Sequence, residues 1–409
     1  MNKPLSHIKV LDLTTFVAAP VSARLLGDLG ARVIKVEHPR GDGWREFGVT
    51  YNPRFCTEEN PVFDIYNSGK EFISLNLKSP EGKEVFWKLL EESDVFVTNT
   101  RLDALQRLGF SYEDVKERCP RLVYAIVLGY GEKGPEAFMP AFDTSAYWTR
   151  SGFLRDMAPV TTDYEPISPP SGVGDTVTGY NLVIQICAAL INREKTGKGD
   201  YVRAGLYHTG IFTNGTMEII TQKPWGRTYP KTRLEVGPPG GCYKCSDGEW
   251  LFIANGQLSV ALPKMFRMIG REDLVDDPRF IDRDSRAAHS SELYYIFKDA
   301  YASKPVAQWL TLAQEFDLPL VRMNHFSDVT SDPQAWENGY LEHMECPNGE
   351  TVIMPASPFR MESLGTVTTK PAAQVGTHTA AVLEELGYSA EEIAAMQEKG
   401  AVFCAGQEK

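Results

Sequence analysis

Ile8-Lys-Val-Leu-Asp-Leu-Thr-Thr-Phe-Val-Ala-Ala-Pro20 begins as a β-branched and aliphatic run and ends in polar Thr14 and Thr15. Pro20 then opens a helix-like segment to Leu29, closed by Gly30. Ala31-Arg-Val-Ile-Lys-Val-Glu37 reads as a second strand. A strand, a helix and a strand within about thirty residues belong in a parallel sheet. The turn between them, Thr-Thr-Phe-Val-Ala-Ala-Pro, has no GxGxxG, so the dinucleotide fingerprint of nicotinamide and flavin enzymes is absent.

The pattern repeats downstream. Phe72 to Leu77 alternates as a strand, and Ser79-Pro80-Glu81 supplies a cap, a first-turn proline and a favourable acid for a helix to about Glu92. Asp94 to Asn99 is the next strand, Ser111-Tyr-Glu-Asp114 starts a short helix, and Leu122 to Leu128 is apolar enough to be buried on both faces. Residues 5–130 therefore form a doubly wound α/β unit. Ligands bind such sheets beyond the carboxyl ends of the strands, which puts the candidate loops near Phe16 to Ala19, His38 to Asp42, Asn99 and Gly129 to Asp143.

Ser171-Gly-Val-Gly-Asp-Thr-Val-Thr-Gly179 sets one carboxylate, Asp175, between glycines just before an apolar segment from Val177 to Arg193. Asp175 near a helix start can be an N-cap. It can equally be a carboxylate nucleophile, with glycines that let a substrate approach and free N–H groups for an oxyanion. The two roles are compatible.

Thr196-Gly-Lys-Gly-Asp200 is a turn and Tyr201 to Leu206 a strand. Residues 222–240, with Pro224, Pro230, Pro238 and Pro239, read as a linker to a second domain. Gly241 to Asn255 is a hairpin turning at Ser246-Asp-Gly248, followed by helices through about Glu315 with few β signals. A hairpin is expected at Asn348-Gly349, and Ser389-Ala-Glu-Glu392 is a capping box for a terminal helix.

The 409 residues, 43% hydrophobic, can bury a large core in two or so domains. A formal charge of −12 without basic runs argues against nucleic acid as a partner. The absence of a long uncharged apolar run or a secretory pattern at Met1 to Lys9 points away from membranes and towards the cytoplasm. Seven scattered cysteines fit reduced thiols, and Cys242-Tyr-Lys-Cys245 lacks the second pair or nearby His of a metal site, so no metal is expected.

Taken together, these motifs resemble family III CoA-transferases over Ile8 to about Met396. The marks are Val10-Leu-Asp-Leu with Ala19-Pro20, Leu29-Gly-Ala-Arg-Val-Ile-Lys-Val-Glu37, Leu77-Lys-Ser-Pro-Glu-Gly-Lys83, Gly129-Tyr-Gly, Gly174-Asp175, Thr196-Gly-Lys-Gly, and Thr377-His-Thr with Leu383-Glu-Glu-Leu-Gly-Tyr388. The resemblance implies a large Rossmann-like α/β domain and a smaller α+β domain, in two chains threaded through one another as an interlocked homodimer. Residues 1–222 would be the first part of the large CoA-binding domain, 223–329 the linker and small domain, and 330–409 a return to the large domain. Asp175 would be the covalent nucleophile. Val17, Ala18, His38, Arg40, Lys70, Asn99 and Arg107 would surround CoA, which serves as a substrate, with no tightly bound cofactor. Gly240 and Gly241 fall where a glycine-rich loop covers the activated aspartyl group, although the glycine run here is short.

Within the family, Gly129-Tyr-Gly-Glu-Lys-Gly-Pro, Phe142-Asp143, Gly174-Asp175 and Asp276-Asp-Pro-Arg-Phe280 are most similar to the (R)-2-hydroxyacid branch. Enzymes of that branch move CoA from a 2-enoyl-CoA or saturated acyl-CoA to an (R)-2-hydroxy acid. Transfer to another acid, oxalate- or carnitine-like, is the alternative. A racemase of 2-methylacyl-CoA needs a histidine where this chain has Phe142, whose ring carries no proton, and leaves Asp143 to structure or cofactor contact. An acyl-CoA-binding protein would tolerate loss of Asp175, and a hydrolase would admit water to the same anhydride. Apolar candidates for the substrate pocket are Phe47, Phe55, Tyr147, Trp148 and Trp225.

Overall fold

Val10 and Leu11 point to opposite faces of strand β1 (Lys9–Leu13), and each is buried in a different apolar cluster. A strand buried on both sides must be sandwiched between helix layers. The computed structural model, which describes residues 3–46, 59–157, 169–226, 228, 237–254 and 257–406, has that arrangement.

The chain divides into two units, Met1–Leu154 with Ser168–Ile219 and Pro333–Lys409, and Arg155–Ile167 with Ile220–Asp332. In the first, β1 is followed by α1 (Ala18–Asp28), β2 (Arg32–Glu37), α2 (Pro61–Asn67), β3 (Glu71–Leu75) and α3 (Pro80–Glu92). After these come β4 (Val95–Thr98), α4 (Leu102–Leu108), α5 (Tyr112–Arg118), β5 (Val123–Leu128), α6 (Val173–Thr196), β6 (Tyr201–Gly205) and α7 (Leu206–Thr213). With the C-terminal strand β12 (Val402–Phe403) at one edge, the sheet order is β12-β3-β2-β1-β4-β5-β6, with β1 to β6 parallel. The order reverses at β1, so the crevice beyond its carboxyl end is the natural ligand site.

Side-chain caps fix the helix starts. Ser79 accepts from the Gly82 N–H ahead of Pro80, and Ser111 and Asp114 form a reciprocal capping box. Helices α1 and α6 cover one face of the sheet with Leu25, Leu26, Leu182 and Ile186. The other face carries Phe86, Leu89 and Phe110, with Val382 and Leu383 of the C-terminal segment. α6 is long and apolar enough to cross a membrane by length and composition alone. Here its Leu182, Ile186 and Leu190 belong to the core of the sheet.

The C-terminal segment protects the sheet edge. Its two-residue strand β12 (Val402–Phe403) runs antiparallel to β3, while the Phe72 N–H donates to His378 Nδ1 at 2.9 Å and the Ser74 N–H to Thr379 Oγ1 at 3.0 Å. Before it, β10 (Leu341–Glu345) and β11 (Thr351–Pro355) form the hairpin expected around Asn348-Gly349. The second unit is a small α+β body, in which β7 (Gly241–Lys244), β8 (Trp250–Ile253) and β9 (Leu320–Arg322) make an antiparallel sheet. Its core is aromatic, with Tyr243, Phe266, Phe297, Tyr301 and Trp309 buried together. Strand β9 follows the helical stretch that the sequence ends near Glu315 and is too short, at three residues, to show a strand pattern of its own.

α1 and α6 meet at Gly179, where a Cβ would lie 2.2 Å from Val21 Cγ1 and 2.9 Å from the Ala18 carbonyl oxygen. Gly179→Ala must therefore push the helices apart. We expect a loss of about 1–3 kcal/mol, read as a lower urea midpoint at unchanged m-value.

Candidate active site

Asp175 is the third residue of α6, within its first turn and not its cap. The N-cap is Gly172, at φ +86°, a left-handed conformation that favours glycine, and no side chain caps this end. Gly174 packs so closely that a Cβ there would be 2.3 Å from Tyr147 Cγ and 2.4 Å from Asp143 Oδ1. The two glycines thus let the turn sit flat on its neighbours and leave Asp175 half-buried at the helix N-terminus.

A carboxylate there is favoured by the helix dipole, which lowers its pKa. Burial wins instead: it pushes the Asp175 carboxyl up to about 7, the charge of Asp143 adds to this, and no hydrogen bond from the described residues offsets them. Asp143 is buried at the start of a π-helical turn, Asp143–Thr149, and its Oδ2 accepts from the Gly172 N–H at 2.7 Å. Burial raises its pKa too, against the pull of the Gly172 N–H. Asp143 thereby ties the turn that carries Asp175 to the segment after β5.

The strand ends gather most of the residues expected around CoA. Val17 and Ala18 are buried at the start of α1, so only their main chain can face a ligand. Asn99, after β4, brackets Thr15: its Oδ1 accepts from the Thr15 N–H at 3.0 Å and its Nδ2 donates to the Thr15 carbonyl at 2.7 Å. His38 and Arg40 are exposed after β2, where the Arg40 N–H donates to His38 Nδ1 at 3.1 Å. Burial, then the charges of Arg40 and Lys78, lowers the His38 pKa. Lys78, beyond β3, is a third cationic group at this edge; it stands in the Leu77–Lys83 motif, but a surface lysine between strand and helix carries no signal of a ligand contact. Arg107 is exposed on α4 and paired with Asp103 at 2.7 Å.

Lys70 is placed elsewhere. It precedes β3, at the opposite end of the strand, and its buried ammonium donates to Asp12 Oδ2 at 2.8 Å, Asn67 Oδ1 at 2.9 Å and the Pro20 carbonyl at 3.0 Å. All three of its donors are used inside the fold. Tyr147 is also a core residue, its ring lying under Gly174, and Trp148 packs against Tyr147 and Phe153. Gly240 and Gly241 lie in the second unit, where Gly241 opens β7 opposite Ile253, as does exposed Trp225. Phe47 and Phe55 fall outside the described residues.

The family model for CoA-transferase family III matches residues 5–379. The chain belongs to CoA-transferase family III. This family III enzyme is 38% identical over 390 residues to (R)-2-hydroxy-4-methylpentanoate CoA-transferase of Clostridioides difficile, covering 95% of this chain and 97% of that one. It is 34% identical to cinnamoyl-CoA:phenyllactate CoA-transferase of Clostridium sporogenes, with 95% and 94% covered. The crystal structure of Rv3272 from M. tuberculosis superposes with a TM-score of 0.80 at 28% identity, over 93% of this chain and 99% of that one.

The raised pKa of Asp175 makes it a cost to folding at neutral pH. The unfolded carboxyl ionises near 3.9 and the folded one near 7, so stability is greatest at low pH and falls as pH rises through that window. Asp175→Asn is expected to melt higher than the parent at pH 7.5, by up to ~4 kcal/mol of stability, with the difference fading by pH 4. Melting curves of both proteins across this range test it.

Proposed function

We propose that this CoA-transferase moves CoA from an acyl-CoA or 2-enoyl-CoA to a carboxylic acid, an (R)-2-hydroxy acid, through covalent intermediates on Asp175. The observation that carries this reading is Asp175 itself, a half-buried carboxylate among glycines at a helix N-terminus, with its pKa held near 7 by burial. Such a group is a better nucleophile than a solvated carboxylate, while a large fraction remains ionised at pH 7. The acids named for the two clostridial relatives support the hydroxyacid acceptor.

In the first step an Asp175 oxygen attacks the thioester carbonyl, the C–S bond breaks, and CoA leaves as thiolate from a mixed anhydride. The thiolate then attacks the aspartyl carbonyl, the C–O bond breaks, and the donor acid departs as carboxylate, leaving an aspartyl-CoA thioester. The acceptor carboxylate repeats the two steps in reverse and restores Asp175. One thioester replaces another, so no net proton and no redox change is required. The chain's part is to supply the carboxylate, hold CoA and exclude water. N–H groups at the start of α6 are suited to the developing oxyanions.

Arg40, Lys78 and a neutral His38 form the anchor for CoA phosphates, set where the strand ends meet. The assembly is a homodimer. Support comes from α6 and α7, whose outward Ile184, Ile191 and Phe212 are 69%, 62% and 83% exposed, more apolar surface than a monomer usually leaves in water. Cys119, Cys187, Cys245, Cys346 and Cys404 are free thiols, as suits a cytoplasmic enzyme.

Intact-mass analysis after mixing the enzyme with acyl-CoA and hydroxylamine is the direct test. A hydroxamate on Asp175, absent from Asp175→Ala, is expected, together with a loss of at least about a thousandfold in transfer by the variant. No adduct with any donor, despite CoA binding, would sink the covalent route. Arg40→Ala should raise KM for acyl-CoA by about tenfold at nearly unchanged kcat, and the increase should shrink at high salt.

A further inference from the structure

Phe16 stands at φ +64°, a left-handed conformation that bulky residues rarely adopt. Strain of this kind persists only where the surroundings over-determine it. Here the Phe16 N–H donates to Asp42 Oδ1 at 3.1 Å, and the same oxygen accepts from the Trp44 N–H at 3.0 Å. On the other side Asn99 holds Thr15 by both of its main-chain groups. Loops from β2 and β4 thus fix the Phe16 ring in one place.

That ring meets Phe142 edge-on, with centroids 5.6 Å apart, and Trp44 at 6.1 Å; Trp44 in turn meets Tyr66 at 6.3 Å. Four aromatic rings therefore form a chain of successive contacts, Phe142, Phe16, Trp44 and Tyr66. Both ends of that chain of contacts reach the turn that carries the nucleophile. Phe142 is bonded to Asp143, which accepts from the Gly172 N–H, and a Cβ on Gly172 would sit 3.0 Å from Tyr66 Oη and 3.8 Å from Val17 Cγ1. The polar group of the Phe142-Asp143 pair is turned inward, yet the Phe142 ring is 56% exposed. An exposed aromatic ring next in sequence to Asp143, which packs against Gly174 just before Asp175, has a use if an apolar group lies against it during the reaction.

We infer that Phe16 and Phe142, backed by Trp44 and Tyr66, form an apolar subsite that receives the hydrocarbon part of the acids carried by this enzyme. This rests on the transferase reading only in making those acids its substrates, because the subsite itself follows from where the rings stand. The occupant is an uncharged aliphatic or aromatic group of several carbons. Short or doubly charged acids have nothing there to bind. The wall thereby selects among acids that all present the same carboxylate to Asp175.

The test uses equilibrium binding, so that it does not depend on turnover. Asp175→Ala protein is titrated calorimetrically with CoA, acetyl-CoA, butyryl-CoA and hexanoyl-CoA. Affinity is expected to rise by roughly two- to fourfold per added methylene. Adding Phe142→Ala should remove at least about tenfold of the hexanoyl-over-acetyl preference and leave the Kd for CoA within about twofold. Phe16→Gly, which also relieves the left-handed strain, serves as the second variant and should flatten the series likewise. A flat series in the parent, or an undiminished slope in both ring variants, overturns the subsite. So does a change of oligomeric mass in Phe142→Ala with the slope intact, which would make the ring a subunit contact. Failure of the covalent mechanism reads differently: the chain-length series stands, but no hydroxamate forms on Asp175.

Discussion

The Lys35 ammonium, wholly buried in the middle of β2, donates to the Thr14 carbonyl at 2.7 Å and pairs with Asp42 at 3.0 Å. The shape of the ligand edge depends on this contact. Burial works against the charge of Lys35, but Asp42, Asp12 and Glu37 together outweigh it and hold its pKa above the ordinary lysine value. Asp42 then has one oxygen left to fix Phe16 and Trp44. Two further buried pairs flank it, Lys70 with Asp12 and Arg45 with Glu37. Such pairs add little net stability compared with apolar side chains of the same size, but removing one partner is costly. Their value here is positional, since they tie the loops after β1 and β2 to the sheet and to each other.

The same interactions explain a division of labour among the cations. Those proposed to meet CoA, His38, Arg40 and Lys78, stand exposed after the strands, whereas Lys35, Lys70 and Arg45 are spent inside. Burial draws Lys70 down to about 8 even with Asp12 beside it. A side chain so placed serves the loop and not the ligand, and it reaches the site through Asp12 and the Pro20 carbonyl at the start of α1.

Much of this was legible in the chain. The caps at Ser79, Ser111 and Ser389, the glycine turn at Asn348-Gly349 and the apolar runs of β1, β2 and β5 are local features whose chemistry acts within a few residues, and each appears where the pattern set it. Asp175 was legible as a carboxylate at a helix start, though its place inside the first turn depends on Gly172 taking the cap. What could not be read comes from contacts distant in sequence. Lys70 and Lys78 look alike as letters, and only the partners of Lys70, up to fifty-eight residues away, separate the enclosed one from the exposed one. The left-handed Phe16 is likewise set by Asp42 and Asn99, not by its neighbours. Strand β12 is two residues long and exists because β3 offers it an edge.

The helix start and the packing around it pull in opposite directions at Asp175. The helix dipole and the nearby N–H groups would favour a relaxed, low-pKa carboxylate, a poor nucleophile. Glycines at 172 and 174 allow Tyr147 and Asp143 to close in, and the resulting desolvation and like charge raise the pKa against that dipole. Asp143 cannot relieve it by hydrogen bonding unless protonated, since two ionised carboxylates only repel. Its grip on the Gly172 N–H instead keeps the turn from opening to water. A folding cost is therefore concentrated at one residue, the one proposed to react, and the packing of α6 on α1 and the buried pairs beneath Phe16 are what hold that residue in place.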